Sequence, residues 1–327
     1  MRVAVVGLGA VGARAARQLA STEGVDEVVL RDLDDGRRRE VAASLGAVAT
    51  PEPPSVTGPP DTDAVVLALP AGLHAAAALP LVERGVPVVS TSDAVVDVEA
   101  LLDLGPLAEA SGSTLVLGAA FSPGLTCLLA RHAADLFDDV TEVHVARIGT
   151  GGPACAHQHH RALGGSSIDW RDGGWQRRPA GSGRELCWFP DPVGAADCYR
   201  AGLPDALLLV NALGEVERAT ARLAATRRDR LTGRLPMLRR PHPEGTIGAV
   251  RAEVRGRIDG RYETTVYGAF DRPGVAAGAV AAVAATAAVR GELGIPAGAH
   301  GLAASTRARD LLAELSVRGV KAAAFTG

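Results

Sequence analysis

The stretch VAVVGLGAVG at residues 3–12 constrains the fold more than any other part of the chain. A short apolar strand leads into Gly7, and Gly7, Gly9 and Gly12 have the GxGxxG spacing that opens a helix. A second apolar strand ends at Asp32, twenty residues beyond Gly12. Strand, glycines, helix, strand and acid in this order are typical of a dinucleotide-binding βαβ unit. The sequence therefore predicts a Rossmann-type domain that holds a nicotinamide dinucleotide.

The residue types in this unit also indicate which dinucleotide is preferred. Gly7 permits a tight turn, Gly9 lets the backbone approach a pyrophosphate, and Gly12 lets the helix pack on the strand. The carboxylate of Asp32 can accept hydrogen bonds from both ribose hydroxyls, which favours NAD and repels the 2′-phosphate of NADP. The arginines at 37–39 could reach such a phosphate, so NADP stays possible, although a solvated helix face is the favoured interpretation.

Apolar strands and helical segments continue to alternate up to about residue 118. Strands are predicted at 63–69, 86–90 and 114–118, with helices between them. Near-continuous valine and leucine runs are typical of a parallel sheet covered on both faces, whose ligands lie beyond the carboxyl ends of the strands. The predicted cofactor-binding residues therefore lie in the glycine turn and at strand ends: Gly7, Gly9, Ala10, Val11, Gly12, Asp32, Leu69, Pro70, Ser90 and Ser92.

The pattern changes after residue 122 and predicts a second domain. Residues 142–148 are expected to form a strand, 155–205 to be irregular, and the alternation around Asp259-Gly260 predicts a hairpin. We therefore expect an α/β protein with a doubly wound parallel sheet and a second, α+β domain of mostly antiparallel sheet. The predicted boundaries are a Rossmann domain at 1–122, a substrate domain at 123–272 and C-terminal helices at 273–327 that return to the Rossmann domain.

The composition is that of a globular, soluble protein rather than a disordered one. Hydrophobic residues make up 47% of the chain and the formal net charge is −3, which predicts neither a nucleic-acid surface nor a membrane patch. The apolar run at 273–289 is short for a membrane span and mostly alanine, so we expect it to form a buried helix. Small side chains allow helices to pack closely, and we expect the chain to form a homodimer. The four cysteines show no CxxC pair, which indicates reduced thiols in a cytoplasmic protein.

Reactive side chains are concentrated in one segment, ACAHQHHRALGGSSIDWRDGGW at 154–175. Hydride transfer at carbon requires a partner that takes or gives a proton, and the ordinary pKa of histidine is near neutrality. Aspartate can orient a histidine, and arginine can clamp a substrate carboxylate. The predicted catalytic residues are His157, His159, His160, Asp169 and Arg171, with Arg178 as a second clamp and Trp170 and Trp175 as pocket walls.

Two other interpretations of this segment remain open. For any single histidine, a capping or core role is the alternative. A metal site that includes Cys155 is disfavoured, because no HxxxH pair and no carboxylate at ligand spacing accompany the histidines. No metal is therefore predicted.

Several motifs resemble the saccharopine dehydrogenase-like oxidoreductases. They are VAVVGLGAVG with Asp32, TLVLGAAFSPGLTCLLARHAADLF, EVHVARIGTGG and the tail ARDLLAELSVRGVKAAAF. The resemblance implies a nicotinamide-binding domain, a substrate domain with a mixed sheet, and hydride transfer at a C–N bond. Family members that use a lysine–histidine pair have no counterpart here, because the only lysine is Lys321. The first domain is also similar to other dehydrogenases, including the sugar-oxidising glucose–fructose oxidoreductase group.

Three functions follow from these observations. The leading one is an NAD(P)-dependent oxidoreductase acting on an amino acid, amine or imine. The second is a dehydrogenase of the same architecture that oxidises a CH–OH group of a polyol or sugar, which a pocket without carboxylate-binding arginines would favour. The third is a dinucleotide-binding protein that has lost catalysis.

Overall fold

The computed structural model describes residues 1–53, 58–237 and 240–325. Its strands are β1 (Arg2–Val6), β2 (Glu27–Arg31), β3 (Ala49–Pro51), β4 (Ala64–Leu67), β5 (Val88–Ser90), β6 (Thr114–Leu117), β7 (Asp139–Ile148), β8 (Ser166–Arg171), β9 (Gly174–Pro179), β10 (Glu185–Trp188), β11 (Ala195–Arg200), β12 (Arg218–Ala224), β13 (Gly248–Ile258), β14 (Arg261–Asp271), β15 (Gly298–Gly301) and β16 (Lys321–Phe325). Its helices are α1 (Gly12–Ala20), α2 (Asp35–Leu45), α3 (His74–Val82), α4 (Val95–Leu102), α5 (Gly105–Ser111), α6 (Leu125–Ala134), α7 (Pro153–Ala162), α8 (Asp205–Leu213), α9 (Arg227–Thr232), α10 (Pro273–Val289) and α11 (Ala308–Val317).

The first sheet is parallel throughout and runs in the order β15-β6-β5-β4-β1-β2-β3. Its central strands consist of valine, leucine and alanine, and all four residues of β4 are buried, because helices cover both faces of the sheet. The strand order reverses between β1 and β4, which is where doubly wound sheets bind their ligands. The predicted Rossmann-type fold is confirmed.

The second sheet is mixed and mostly antiparallel, as predicted. Its order is β10-β11-β12-β7-β13-β14-β16, and β8 pairs with both β12 and β9. The β12–β7 pair is parallel, and the other pairs are antiparallel. The hairpin of β13 and β14 turns at Asp259 and Gly260, whose φ angles of 50° and 75° suit a two-residue turn that follows the twist of the strands.

The prediction that residues 155–205 are irregular is wrong. They contain most of α7 and the strands β8 to β11. The helix begins at Pro153, a residue suited to the first helical position. The hairpin of β8 and β9 turns at Asp172 and Gly173, both with positive φ. The glycines and prolines of this region therefore lie mainly in the turns between short elements. Because they interrupt the sequence so often, the hydrophobic periodicity of each element is difficult to recognise.

The C-terminal segment contributes to both domains. As predicted, α10 is a buried helix; it packs against α1 and the strands β4 and β5. Among the described residues, we find no helix with the length and apolarity needed to cross a bilayer. β15 completes the parallel sheet, whereas β16 pairs with β14 in the second sheet. The last strand thus differs from the expectation that this segment returns to the Rossmann domain alone.

Candidate active site

The glycine turn at residues 7–12 joins β1 to α1. Gly7 has a φ angle of 91°, and a Cβ there would lie 2.3 Å from the carbonyl oxygen of Ala68. A Cβ on Gly12 would lie 1.8 Å from the carbonyl oxygen of Gly7. Both positions therefore require glycine. A Cβ on Gly9, in contrast, would meet no atom within 4 Å, so the backbone there faces open space.

This turn suits a pyrophosphate. The first turn of α1 has no acidic residue and no side-chain cap, so no negative charge from its own sequence competes at the positive end of the helix dipole. Gly9 leaves room for close approach of a ligand to the backbone. Ala10 and Val11 lie between the glycines, and their backbone groups belong to the same turn.

Asp32 is fixed directly beyond β2. Its Oδ2 accepts a hydrogen bond from the N–H of Leu8 at 2.6 Å, and its Oδ1 accepts one from the N–H of Asp34 at 2.8 Å. The carboxylate is therefore tied to the glycine turn. Each carboxylate oxygen can accept a further hydrogen bond, which is what recognition of ribose hydroxyls needs.

The arginines at 37–39 lie on α2 and have acidic partners there. Arg38 is buried, forms an ion pair with Asp35, and its Nη1 lies 3.3 Å from the carbonyl oxygen of Asp32. Arg39 also pairs with Asp35, while a guanidinium nitrogen of Arg37 lies 3.8 Å from the carboxylate of Asp34. All three arginines thus have acidic partners, but the expectation of a solvated helix face does not hold for the buried Arg38.

The strand ends beyond β4 and β5 hold a buried histidine. The Nε2 of His74 lies 2.9 Å from the carbonyl oxygen of Leu69, and its Nδ1 lies 2.9 Å from the hydroxyl of Ser90. Burial lowers the pKa of His74 below its ordinary value, so a neutral ring donates to Leu69 and accepts from Ser90. Pro70 follows at the exposed edge of this turn.

The hydroxyl of Ser92 is likewise directed inward. It donates to Oδ2 of Asp97 at 2.6 Å, while Oδ1 of Asp97 accepts the N–H of Gly72 at 2.9 Å. The side chains of Ser90 and Ser92 therefore brace the two turns against each other. Ser90 is completely buried and Ser92 is 6% exposed, so both serines stabilise the turns rather than present a polar surface.

Four side chains converge just beyond the carboxyl end of β5, and we term them the Asp93 cluster: Asp93, Arg147, Cys155 and His159. The Nε2 of His159 lies 3.1 Å from Oδ2 of Asp93 and 3.3 Å from Sγ of Cys155. The guanidinium of Arg147 lies 3.3 Å from Oδ2 of Asp93 and 3.7 Å from Sγ of Cys155. Two groups that can carry positive charge and two that can carry negative charge thus lie within 3.1–3.7 Å of one another.

These contacts shift the ionisation of each member. Burial alone would raise the pKa of Asp93, but the hydrogen bond and charge of His159, together with Arg147, hold it below its ordinary value. Burial and Arg147 oppose a charged His159, yet Cys155 and Asp93 raise its pKa. Burial also opposes a thiolate at Cys155, whereas the charges of His159 and Arg147 lower its pKa. In each case the contacts with charged neighbours act against burial and set the direction of the pKa shift.

The cluster lies beside the glycine turn. A Cβ on Gly152, the residue before α7, would lie 2.6 Å from Cβ of Ala10. The side chain of Arg14 on α1 donates to the carbonyl oxygen of Ala10 at 2.7 Å and forms an ion pair with Glu244 of the second domain. The start of α7 therefore rests on the turn where we expect the pyrophosphate.

The buried carboxylate of Asp205 supports the cluster through its hydrogen bonds to neighbouring hydroxyl groups. Oδ1 of Asp205 accepts hydrogen bonds from the hydroxyls of Ser122 at 2.8 Å and Thr126 at 2.6 Å. The carbonyl oxygen of Ser122 accepts a hydrogen bond from Arg147 at 2.7 Å. Burial raises the pKa of Asp205 above its ordinary value. This layer fixes the direction of the Arg147 guanidinium.

Of the predicted catalytic residues, only His159 belongs to the cluster. His157 is exposed on α7, and Nε2 of His160 lies 2.9 Å from the carbonyl oxygen of Leu235. Arg171 is exposed and pairs with its neighbour Asp172. These three predicted residues therefore lie outside the cluster, at the surface of the second domain.

The expected carboxylate clamp and pocket walls lie on the β8–β9 hairpin. Arg178 is exposed and contacts Gln176. Trp170 and Trp175 pack edge to face with ring centroids 5.0 Å apart, and the indole N–H of Trp170 donates to Val216. The clamp that the sequence suggested is therefore not assembled beside His159.

Asp169 does not orient a histidine either. Its carboxylate pairs with Arg222 at 3.0 Å and with Arg200 at 3.2 Å. Arg222 lies opposite Ala146 in the β12–β7 ladder, and successive side chains alternate between the faces of a strand. Asp169 therefore lies on the opposite face of the sheet from Arg147, and the carboxylate beside His159 is that of Asp93.

The catalytic residues predicted from the sequence do not include Asp93, Arg147 or Asp205. Asp93 immediately follows Ser92 at a predicted strand end, so its position was a usable signal. Arg147 and Asp205 carried no such signal, because each reaches the site only through the packing of the second domain. Cys155 and His159 stand four residues apart, a spacing that indicates a shared helix face once α7 is recognised.

The amino-terminal domain matches a known family. Residues 1–118 match the family described as "Oxidoreductase family, NAD-binding Rossmann fold". The chain is 35% identical over 106 residues to inositol 2-dehydrogenase of Mycolicibacterium smegmatis, covering 32% of this chain and 31% of that protein. It is 42% identical over 91 residues to inositol 2-dehydrogenase 1 of Saccharopolyspora erythraea, covering 27% of each. The chain thus aligns with about a third or less of the length of these relatives, and its match to that family is confined to residues 1–118.

The whole chain has the fold of solved dehydrogenase structures. Saccharopine dehydrogenase (L-Glu forming) from Saccharomyces cerevisiae superposes with a TM-score of 0.71 at 16% identity, covering 99% of this chain and all of that one. Amine dehydrogenase from Mycobacterium smegmatis gives a TM-score of 0.54 at 13% identity, covering 94% and 97%. At these identities the likeness establishes the fold alone. The resemblance inferred from sequence thus holds for the architecture, while the sequence match lies with another oxidoreductase family.

Proposed function

We propose that this chain is an NAD-dependent dehydrogenase that oxidises a CH–OH group of a small molecule, with the Asp93–His159 pair as its proton acceptor. The observation that carries the proposal is the contact of His159 with Asp93 beside the glycine turn. A bound nicotinamide dinucleotide would supply the hydride acceptor, held by the glycine turn and Asp32. NAD is favoured over NADP because the arginines of α2 are paired with acids.

The residues of the cluster have separate roles in this proposal. His159 acts in its neutral form, in which Nε2, 3.1 Å from the carboxylate of Asp93, takes the proton released from the substrate hydroxyl. Asp93 also stabilises the imidazolium that forms. Arg147 fixes Asp93 and is itself fixed by the carbonyl oxygen of Ser122. Arg147 and Asp93 are positioning residues, because each acts through His159.

Two observations favour CH–OH chemistry over the C–N chemistry expected from the resemblance. Arg171 and Arg178, the expected carboxylate clamp, are exposed on the β8–β9 hairpin instead of lining the cluster. The curated proteins that match the first domain are named for oxidation of a polyol. The fold likeness to saccharopine and amine dehydrogenases supports a C–N substrate as the second candidate.

A substrate panel decides between these candidates. Purified protein is incubated with NAD or NADP and with polyols, sugars, amino acids or amines, and cofactor reduction is followed by absorbance. We expect reduction of NAD with a CH–OH substrate, and loss of about 100-fold or more in kcat for His159→Gln. His157→Gln, an exposed position on the same helix, is the matched control. Turnover with amines alone would favour the second candidate, and NAD binding without any turnover would indicate a protein that has lost catalysis.

A further inference from the structure

Cys155 differs from the other cysteines in its surroundings. Cys127, Cys187 and Cys198 are buried at 0–2% exposure, whereas Cys155 is partly exposed. Cys155 is the third residue of α7, a helix of ten residues, so its thiol lies at the positive end of the helix dipole. The cysteine that lies in the Asp93 cluster is thus also the most accessible one.

The neighbours of Cys155 stabilise a thiolate. His159 lies one helical turn away, with its Nε2 3.3 Å from the sulfur, and Arg147 reaches the sulfur from β7 at 3.7 Å. Asp93, which enters from the loop after β5, is the opposing negative charge. With Cys155 and Asp93 as anions and His159 and Arg147 as cations, the four charges cancel. Helix termini and adjacent cationic side chains are the features that create reactive cysteines.

Within the cluster, Cys155 and Asp93 are more exposed to solvent than Arg147 and His159. The side chains of Arg147 and His159 are 2% and 6% exposed, whereas that of Asp93 is 18% exposed. Cys155 and Asp93 are therefore the members of the cluster that are accessible from solvent, whereas the imidazole of His159 is buried.

We propose that Cys155 is a covalent nucleophile and that the substrate is an aldehyde, an inference that rests on the proposed dehydrogenase function. The thiolate adds to the carbonyl carbon, so a C–S bond forms while the carbon–oxygen π bond breaks. The oxygen takes the proton from Nε2 of His159, which leaves a neutral imidazole. The product is a thiohemiacetal whose carbon carries one hydrogen and one hydroxyl group.

The thiohemiacetal carbon is itself a CH–OH centre of the kind that the proposed function oxidises. A nicotinamide dinucleotide held by the glycine turn and Asp32 would accept the hydride of this carbon, and with the hydroxyl proton returned to His159 a thioester would remain on Cys155. Water then cleaves the C–S bond, releases a carboxylic acid and restores the thiol. Overall, an aldehyde, NAD⁺ and water give a carboxylate, NADH and two protons.

The side chains of Asp93, Cys155 and His159 also suit a metal ion, and a metal site is therefore the competing assignment. The ligand atoms of Asp93, Cys155 and His159 all lie within 4.8 Å of one another. The guanidinium of Arg147 lies 3.3 Å from the carboxylate and 3.7 Å from the sulfur. A divalent cation bound there would be repelled by this guanidinium, whereas a thiolate is stabilised by it, so we favour the nucleophile.

Alkylation of the full chain tests the nucleophile without any cofactor. Iodoacetamide labelling is followed by mass spectrometry from pH 5 to 9, with peptide mapping of the modified cysteine. We expect one adduct, on Cys155, with a midpoint clearly below the pKa of about 8.5 of an ordinary thiol. His159→Gln should move the midpoint upward, whereas His157→Gln should leave it in place. A wild-type midpoint at or above that of an ordinary thiol, or one bound zinc per chain lost in Cys155→Ser, would overturn the proposal.

Kinetics then separate this inference from the proposed function. NAD affinity is measured by direct titration, and aldehyde oxidation is measured in the wild type and in Cys155→Ser. We expect equal NAD affinity and a loss of about 100-fold or more in kcat with aldehydes. Unchanged aldehyde oxidation in Cys155→Ser would refute the nucleophile while leaving the dehydrogenase intact. Absence of NAD binding, with the labelling profile preserved, would instead refute the proposed function.

Discussion

Two alanine substitutions in the glycine turn should have opposite effects on stability. An added Cβ at Gly12 would lie 1.8 Å from the carbonyl oxygen of Gly7, a contact that the backbone can relieve only by moving. An added Cβ at Gly9 would have no neighbour within 4 Å, and the φ angle of Gly9 is not positive. Gly9→Ala should therefore fold without strain, while Gly12→Ala should not.

The expected magnitudes follow from these contacts. Alanine at a compatible glycine position restricts the unfolded chain and stabilises by about 0.4–1 kcal/mol. For Gly9→Ala this corresponds to a Tm unchanged or raised by about 1–3 °C. Overpacking at Gly12 should lower the free energy of unfolding by about 1–3 kcal/mol or more. At the same time the new methyl group of Gly9→Ala would occupy the space predicted for the pyrophosphate.

Thermal melts and NAD titration together test this reasoning. Each variant is melted without and with NAD, and its Kd for NAD is measured by fluorescence titration. For Gly9→Ala we expect a wild-type or higher Tm and a Kd raised at least about tenfold, equivalent to about 1.4 kcal/mol. Wild-type NAD affinity in this variant would show that the open space at Gly9 does not face the cofactor.

Three further predictions concern buried or fixed charges. Asp32→Ala should raise the Kd for NAD at least about fivefold, or about 1 kcal/mol, in the same titration, whereas Asp34→Ala should leave it near the wild-type value. Arg147→Met should lower the free energy of unfolding in urea by about 1–3 kcal/mol, because the partly exposed Asp93 loses its arginine but keeps His159. The pKa of Asp205 is raised in the folded state, so its contribution to stability is present below the unfolded pKa of about 3.9 and lost as pH rises through the folded value. Asp205→Asn should therefore gain stability relative to the wild type between pH 4 and pH 8 in urea titrations, and a constant difference would refute the assigned cause.

The parts of the fold that could be predicted are those encoded over short distances. The strand before Gly7, the glycine spacing and Asp32 lie within one βαβ unit, so their order alone indicates the Rossmann domain. The hairpin at Asp259-Gly260 was found from its two central residues and the alternation around them. The same Asp-Gly signal at Asp172-Gly173 was overlooked, because the strands that it joins are short and rich in polar residues.

The parts that could not be predicted depend on contacts between distant segments. His159 and Asp93 are 66 residues apart in the chain and meet only because α7 lies across the end of β5. Asp169 was a reasonable choice of orienting carboxylate, since it is close to the histidines in sequence. Its place on β8 nevertheless directs it to the opposite face of the second sheet, where Arg222 holds it. Residues that are close in sequence are also close in space when they belong to one element. Here the site is assembled from three separate segments, so closeness in sequence is a poor guide.

The assembly of the Asp93 cluster makes its geometry depend on how the two domains sit together. Asp93 lies in the loop after β5 of the parallel sheet, Arg147 lies on β7 of the second sheet, and Cys155 and His159 lie on α7. Contacts of 3.1–3.7 Å between these groups would be lost if either domain moved by even one ångström or two. Separating the charges would then leave each of them buried and less well paired, which is energetically costly. The ion pairs therefore hold the start of α7 against the glycine turn. A ligand that binds this turn will consequently affect the positions of the reactive groups on α7.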